Sequence, residues 1–383
     1  MAVLELNDWN LQLFKDDGTL ILSEPAAALY VKDELIFGDR ALQGCRLQPQ
    51  SFADQYLARL GTEPLNNPLG DLKTQADLVY QHLKTIDVNQ ETTVLVPSHL
   101  SNEKLGIFLG IANRAGIAVK NFVDTALAYA LDTASGHPLH VLDIESHRAS
   151  LTQISLEGTQ RSVVSNRSFE SIGFAPILNG WLNVIADEFI QKTRFDPLHF
   201  AQTEQQLYDK VKSYLVEEPQ DNLQIELTQD KQNRQATISK DLLIDKLNSK
   251  VQQLDFSEVS SLALTPRVLQ VPGLLETLRS TVPQVLIINE DELSGNISRL
   301  TSGSGSDNVT RTSIGTSSVS IFSSDKSPET SLPRPVTHLL AESHAHHLGH
   351  PKIKSSVEAL DAPLRPGDKI KIGSETYLAI SAD

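Results

Sequence analysis

Thr92-Thr93-Val94-Leu95-Val96-Pro97-Ser98-His99-Leu100-Ser101-Asn102 reads as a continuous apolar strand, ended by proline and followed by a helix start. A short unbroken run of β-branched and aliphatic residues suits a strand covered on both faces. Ser101 is placed to cap the helix, which the periodicity carries to about Arg114, and Gly116 supplies its stop. A short strand is expected at residues 117–119 and a second helix over residues 124–131.

Upstream, residues 2–14 read as one strand, and Asp17-Gly18 turns the chain into Thr19-Leu20-Ile21-Leu22. Residues 26–37 continue in β style around a turn at Lys32-Asp33-Glu34, and residues 71–84 carry apolar positions at helical spacing. Downstream, residues 139–144 and 149–156 form strands on either side of Glu145-Ser146-His147-Arg148, with a third strand near residues 161–165. Helices follow over residues 177–193 and roughly 201–216, then a hairpin (223–227 with 235–238) and a helix from Ser239 to Leu254. A strand at 261–264, a helix at 272–281, a strand at 285–288 and a helix at 291–300 complete the second set. Strands and helices alternate twice, so the class is α/β.

Between Thr301 and Leu332, 19 of 32 residues are Ser, Thr or Gly, a composition that buries no core and reads as a linker. The division expected is therefore residues 1–300, with lobes of about 1–135 and 136–300, a linker at 301–332, and a small β module at 333–383. The module carries turns at Pro366-Gly367-Asp368 and Gly373-Ser374.

The whole chain of 383 residues is 40% hydrophobic and 21% charged, as a folded globular protein is. Aromatic residues make up only 5%, so the core should be aliphatic. The net charge of −15 argues against sequence-independent nucleic-acid binding, which draws its affinity from Lys and Arg on phosphates. A single cysteine, Cys45, forms no intrachain disulfide and fits a reducing compartment. No run approaches the 18 apolar residues of a membrane span, and the expected setting is cytoplasmic.

Three stretches resemble the nucleotide-binding domain of the seventy-kilodalton heat-shock family (Hsp70), which has the two-lobed actin/hexokinase-like ATPase fold. They are residues 94–117, the helix Asp124-Thr125-Ala126-Leu127-Ala128-Tyr129-Ala130-Leu131, and Gly173 with the helices up to Leu215 and the segment 236–247. The likeness spans roughly residues 1–300, with the first-lobe insertion reduced to about ten residues after Gly61.

That family holds phosphates on glycine-rich hairpins, where the missing Cβ lets backbone amides approach closely. Here the first hairpin reads Glu5-Leu6-Asn7-Asp8-Trp9-Asn10, and the second Asp143-Ile144-Glu145-Ser146-His147-Arg148. Neither contains glycine. The adenosine-side strand runs into Leu264-Thr265-Pro266-Arg267-Val268 without the family's glycine pair, and Leu57-Ala58-Arg59-Leu60-Gly61 lacks the family's catalytic lysine. The resemblance thus implies a pseudo-ATPase with no catalytic residues, no resident cofactor and a role in protein–protein interaction or scaffolding. Trp9 is placed to fill the vacated phosphate space.

The alternative is a chaperone-like protein that still binds ATP or ADP with Mg²⁺. Its site residues by resemblance would be Glu5, Asn10, Asp143, Asp209, Lys212 and Gly295, with Glu5 and Asp143 as the carboxylates for a hydrated Mg²⁺.

Five of the eleven histidines, His338, His344, His346, His347 and His350, fall within thirteen residues. Their spacing matches no structural zinc module, so no specific metal site is expected. The terminal Gly367-Asp368-Lys369-Ile370-Lys371-Ile372-Gly373 resembles the last strands of forkhead-associated domains, which implies an interaction module. No Gly-x-Ser-x-Gly elbow, dinucleotide fingerprint or P-loop is present.

Overall fold

The structure is a computed structural model, and it describes residues 1–88, 90–131, 133, 138–157, 160–215, 222–302, 313–315, 338–341, 344–347, 369–372 and 375–380. The chain forms two compact units, Met1–Ser323 and Ser324–Asp383.

The first unit is of mixed α/β class and holds two large sheets with the same strand order. In the first, Ala2–Glu5, Leu11–Phe14 and Leu20–Glu24 form an antiparallel meander. Thr92–Val96 and Val119–Asp124 then add in parallel on the other side of the opening strand. In the second, Leu139–Ile144, Ala149–Glu157 and Gln160–Phe169 make the meander, and Ser261–Leu264 and Gln284–Ile287 add in parallel. Ser313–Gly315 extends the outer edge of that meander.

The apolar run at 92–96 is buried at every position, as a strand covered on both faces requires. Ser101 caps the helix Asn102–Ala115 through its side chain, and Gly116 ends it at φ 92°. Thr74 and Asp77 cap the helix Gln75–Leu83 reciprocally, each accepting the other's backbone N–H.

Three expectations change. Residues 2–14 are two strands, because the Asn7 side chain accepts the N–H groups of Trp9 (2.9 Å) and Asn10 (3.3 Å) and folds 6–10 into a turn. The strand placed at 117–119 runs instead from Val119 to Asp124, where Asp124 caps the short helix Thr125–Tyr129 by accepting the Ala126 N–H. The helix expected over 272–281 starts two residues later, as Leu274–Thr281, and a separate short helix, Pro266–Leu269, precedes it. Gly273 lies between them at φ 81°, a conformation open to glycine.

Each sheet has its own apolar core. One is built on Leu4, Val94, Phe108 and Phe122, the other on Phe174, Trp181, Phe189 and Leu264. A third cluster joins them: Val3, Leu95, Leu127, Val141, Ala263 and Ile297 come from both sheets and from the helices Thr125–Tyr129 and Glu290–Ser302. This shared core fixes the opening strands of the two sheets relative to each other. No helix among the described residues is long and apolar enough to cross a membrane.

The second unit contains an antiparallel sheet in the order His344–His347, His338–Ala341, Glu375–Ile380, Lys369–Ile372. Four of the clustered histidines lie on its first two strands, and His350 lies outside the described residues.

Candidate functional site

The turns that follow the two opening strands, 6–10 and 145–148, face each other and are joined directly. Asn7 Nδ2 donates to the Ile144 carbonyl (3.2 Å) and to Asp143 (3.4 Å), and the Ser146 N–H donates to Asp8 Oδ1 (2.6 Å). The helix Phe174–Thr193 starts against the second turn, where the Phe174 and Ala175 N–H groups donate to the Glu145 and Ser146 carbonyls. Gly173 is needed for that approach. A Cβ there would lie 2.5 Å from the Arg148 nitrogen and 2.6 Å from the His147 carbonyl carbon. Gly173→Ala should cost about 3 kcal/mol in denaturant unfolding, because backbone must move to admit the methyl; a loss within experimental error would mean that the turn is soft.

Behind the turns lies a buried ion cluster. Arg267 Nη2 donates to Glu5 Oε1 (2.6 Å) and to Asp143 Oδ2 (2.9 Å), and Arg267 Nε donates to Asp143 Oδ1 (3.0 Å). Tyr129 donates to Glu5 Oε2 (3.1 Å), and Thr265 donates to Asp143 Oδ1 (2.6 Å). The guanidinium carbon lies 5.3 Å from the centre of the Tyr129 ring. Glu5 is fully buried and Arg267 is 3% exposed. Burial raises the Glu5 carboxyl above its ordinary range, against the lowering effect of the Arg267 charge and hydrogen bond. Arg267 is held protonated because the Asp143 and Glu5 charges outweigh its own burial. All four carboxylate oxygens already accept hydrogen bonds from the protein, and a guanidinium supplies the positive charge. That donor set does not fit a hydrated Mg²⁺, which needs free carboxylate oxygens.

A seam of contacts ties residues 39–46 to the helix Ala201–Ser213. Gln205 accepts the Arg46 N–H (2.8 Å) and donates to the Leu42 carbonyl (2.9 Å). Arg46 pairs with Glu204 and donates to Asn179, while Lys212 pairs with Asp39 at 2.6 Å. Two cavities open along this seam. The larger, about 630 Å³, has walls that include Asn10, Asp39, Lys212, Gln270 and Asn289; the smaller is about 280 Å³. Trp9 and Pro25 belong to both walls, and Trp9 stacks on Phe174 with ring centres 4.1 Å apart.

The structure therefore joins Glu5 and Asp143 through Arg267 and sets Asn10 and Lys212 on the larger cavity. Asp209 accepts a hydrogen bond from Gln205 (2.8 Å) and is absent from both walls. Burial raises its carboxyl, opposed by Gln205 and Lys212. Gly295 lies on the helix Glu290–Ser302 with open space where a Cβ would go, so nothing around it requires glycine. Sequence reasoning gave Arg267 no role. The available signal was a lone arginine directly after a buried strand and a Thr-Pro pair, where solvent exposure is hard to achieve.

No group of three or more His, Cys, Asp or Glu placed to hold a metal ion occurs among the described residues. No family model matches the chain, and no curated protein matches it.

Proposed function

We propose that the chain is a pseudo-ATPase: an actin-like, two-lobed fold resembling the nucleotide-binding domain of the seventy-kilodalton heat-shock family, serving interaction or scaffolding and not ATP hydrolysis. The observation that carries this reading is Arg267, whose guanidinium is buried between Glu5 and Asp143 behind the turns where that family holds phosphate and metal. The repeated strand order of the two sheets supports the fold, and the side chains of Asn7, Asp8 and Trp9 in the first turn support the loss of phosphate binding. A fixed internal cation does the charge balancing that a bound Mg²⁺ would do, and leaves no carboxylate free for chemistry.

The larger cavity favours one second reading, in which a nucleoside moiety still binds beside Asn10 and Lys212 without productive phosphate contacts. Calorimetric titration of the full chain with ATP and ADP, with and without Mg²⁺, separates the two. The scaffold reading expects no Mg²⁺-dependent binding and no turnover. Mg²⁺-dependent affinity tighter than about 10 µM would overturn it. Replacing Asn7, Asp8 and Trp9 by Gly, Thr and Thr should not create hydrolysis, because the second turn and the Arg267 cluster remain.

A further inference from the structure

The smaller cavity carries chemistry that the pseudo-ATPase reading does not use. Its polar wall holds three carboxylates: Asp8 from the first turn, Asp54 from the segment after Pro49, and Glu204 from the helix Ala201–Ser213. Arg46 and His147 face them, but both are already engaged. Arg46 is spent on Glu204 and on Asn179 Oδ1, and His147 Nε2 lies 3.1 Å from Asp54 Oδ2. That contact of His147 Nε2 is an ion pair without hydrogen-bond geometry, and the buried atom on the acceptor side that lacks a partner belongs to Asp8. Asp8 is 3% exposed; one of its oxygens takes the Ser146 N–H, and the other, Oδ2, is buried with no hydrogen-bond partner. A buried carboxylate oxygen without a donor costs free energy that a donor from a ligand would recover. The apolar wall is aromatic, with Trp9, Phe52 and Tyr208, and the Arg46 guanidinium already lies 5.0 Å from the centre of the Tyr208 ring, as cations do on such faces.

We propose that this cavity binds a small organic cation, a primary ammonium or guanidinium compound, with Asp8 Oδ2 as its principal acceptor and Asp54 as the second. Three carboxylates against one guanidinium and one imidazole leave room for one positive charge. An anion would meet Asp8 and Asp54 without a free cationic donor, and a volume of about 280 Å³ suits a ligand of a few to a dozen heavy atoms. The residues of this site are separate from the Arg267 cluster.

Burial raises the Asp8 carboxyl to about 7, with Glu145 adding to the rise and the Ser146 N–H and His147 opposing it; Asp54 also faces it. Below that value the empty site carries a proton on Asp8, and an ammonium ligand displaces it. Binding therefore releases close to one proton at about pH 6 and none at about pH 9.

The test is calorimetry on the full chain with putrescine, agmatine and methylguanidine as probes and with citrate and glucose as counter-probes. Two buffers of different ionisation heat give the proton count. The result expected is at least one cationic probe binding at about 100 µM or tighter, proton release at low pH, and no binding of citrate or glucose. Asp8→Asn should weaken that binding at least about tenfold and abolish the release. Asp54→Asn, at a side chain 30% exposed, should weaken it severalfold and serves if the first variant fails to fold. No binding of any cation, preference for glucose or citrate, or wild-type affinity in a folded Asp8→Asn protein would each overturn the proposal.

Discussion

Arg267→Ala should destabilise the first unit by about 3–5 kcal/mol at neutral pH, because it strands two buried carboxylates. In a body of this size that corresponds to a fall of roughly 5–7 °C in the melting temperature. The sign of its pH dependence follows from Glu5, which burial pushes upward and which the Arg267 charge and hydrogen bond, with the Tyr129 hydrogen bond, pull back down. Without the guanidinium, Glu5 keeps its proton in the folded state while the unfolded chain loses it above the ordinary carboxylate range. The deficit of the variant is therefore small near pH 4 and grows toward pH 7. Adding Glu5→Gln to Arg267→Ala should return part of the loss at neutral pH, since a side chain neutral in both states has no proton to take up on folding. The measurement is denaturant unfolding of wild type, both single variants and the double variant at several pH values. Additive single effects, or a loss that does not change with pH, would mean that the cluster is not the coupled unit described here.

Trp9→Ala removes the partition between the two cavities and should cost about 3–5 kcal/mol, the range for deleting a large buried aromatic side chain. Trp9 is 8% exposed and stacked on Phe174, and the Lys212 ammonium lies 6.0 Å from its ring centre. The variant leaves Trp181 as the sole tryptophan, so its emission then reports the second core alone. Trp9→Phe should restore most of the stability because the stack survives. An alanine variant as stable as wild type would show that the ring covers the turn without packing against it.

The sequence made the secondary structure of both halves legible wherever local chemistry was decisive. The proline-ended run at 92–97, the Ser101 cap and the Gly116 stop appear in the structure as their residue types dictate. It misled where a side chain acted on the backbone. Asn7 breaks a strand that the hydrophobic pattern runs straight through, and Gly273, at φ 81°, caps a helix that the pattern starts at Pro272. The identity of strand order in the two sheets has no counterpart in residue identity, since burial constrains only polarity and size. Of the candidate site, Glu5 and Asp143 could be read from strand-end carboxylates, and Trp9 from its place in the turn. The partner of the carboxylates could not. Arg267 stands 262 residues from Glu5 in the chain, and only tertiary structure brings the two together.

That separation has a consequence for the order in which the protein is made. Glu5 is synthesised 262 residues before its counter-charge. Until then the opening strand can close over its carboxylate only by burying a charge or by taking up a proton. Arrival of Arg267 supplies the guanidinium that ties the strand Ala2–Glu5 to Asp143 on the strand Leu139–Ile144. A chain cut short before that point keeps the Glu5 and Asp143 carboxylates without their guanidinium.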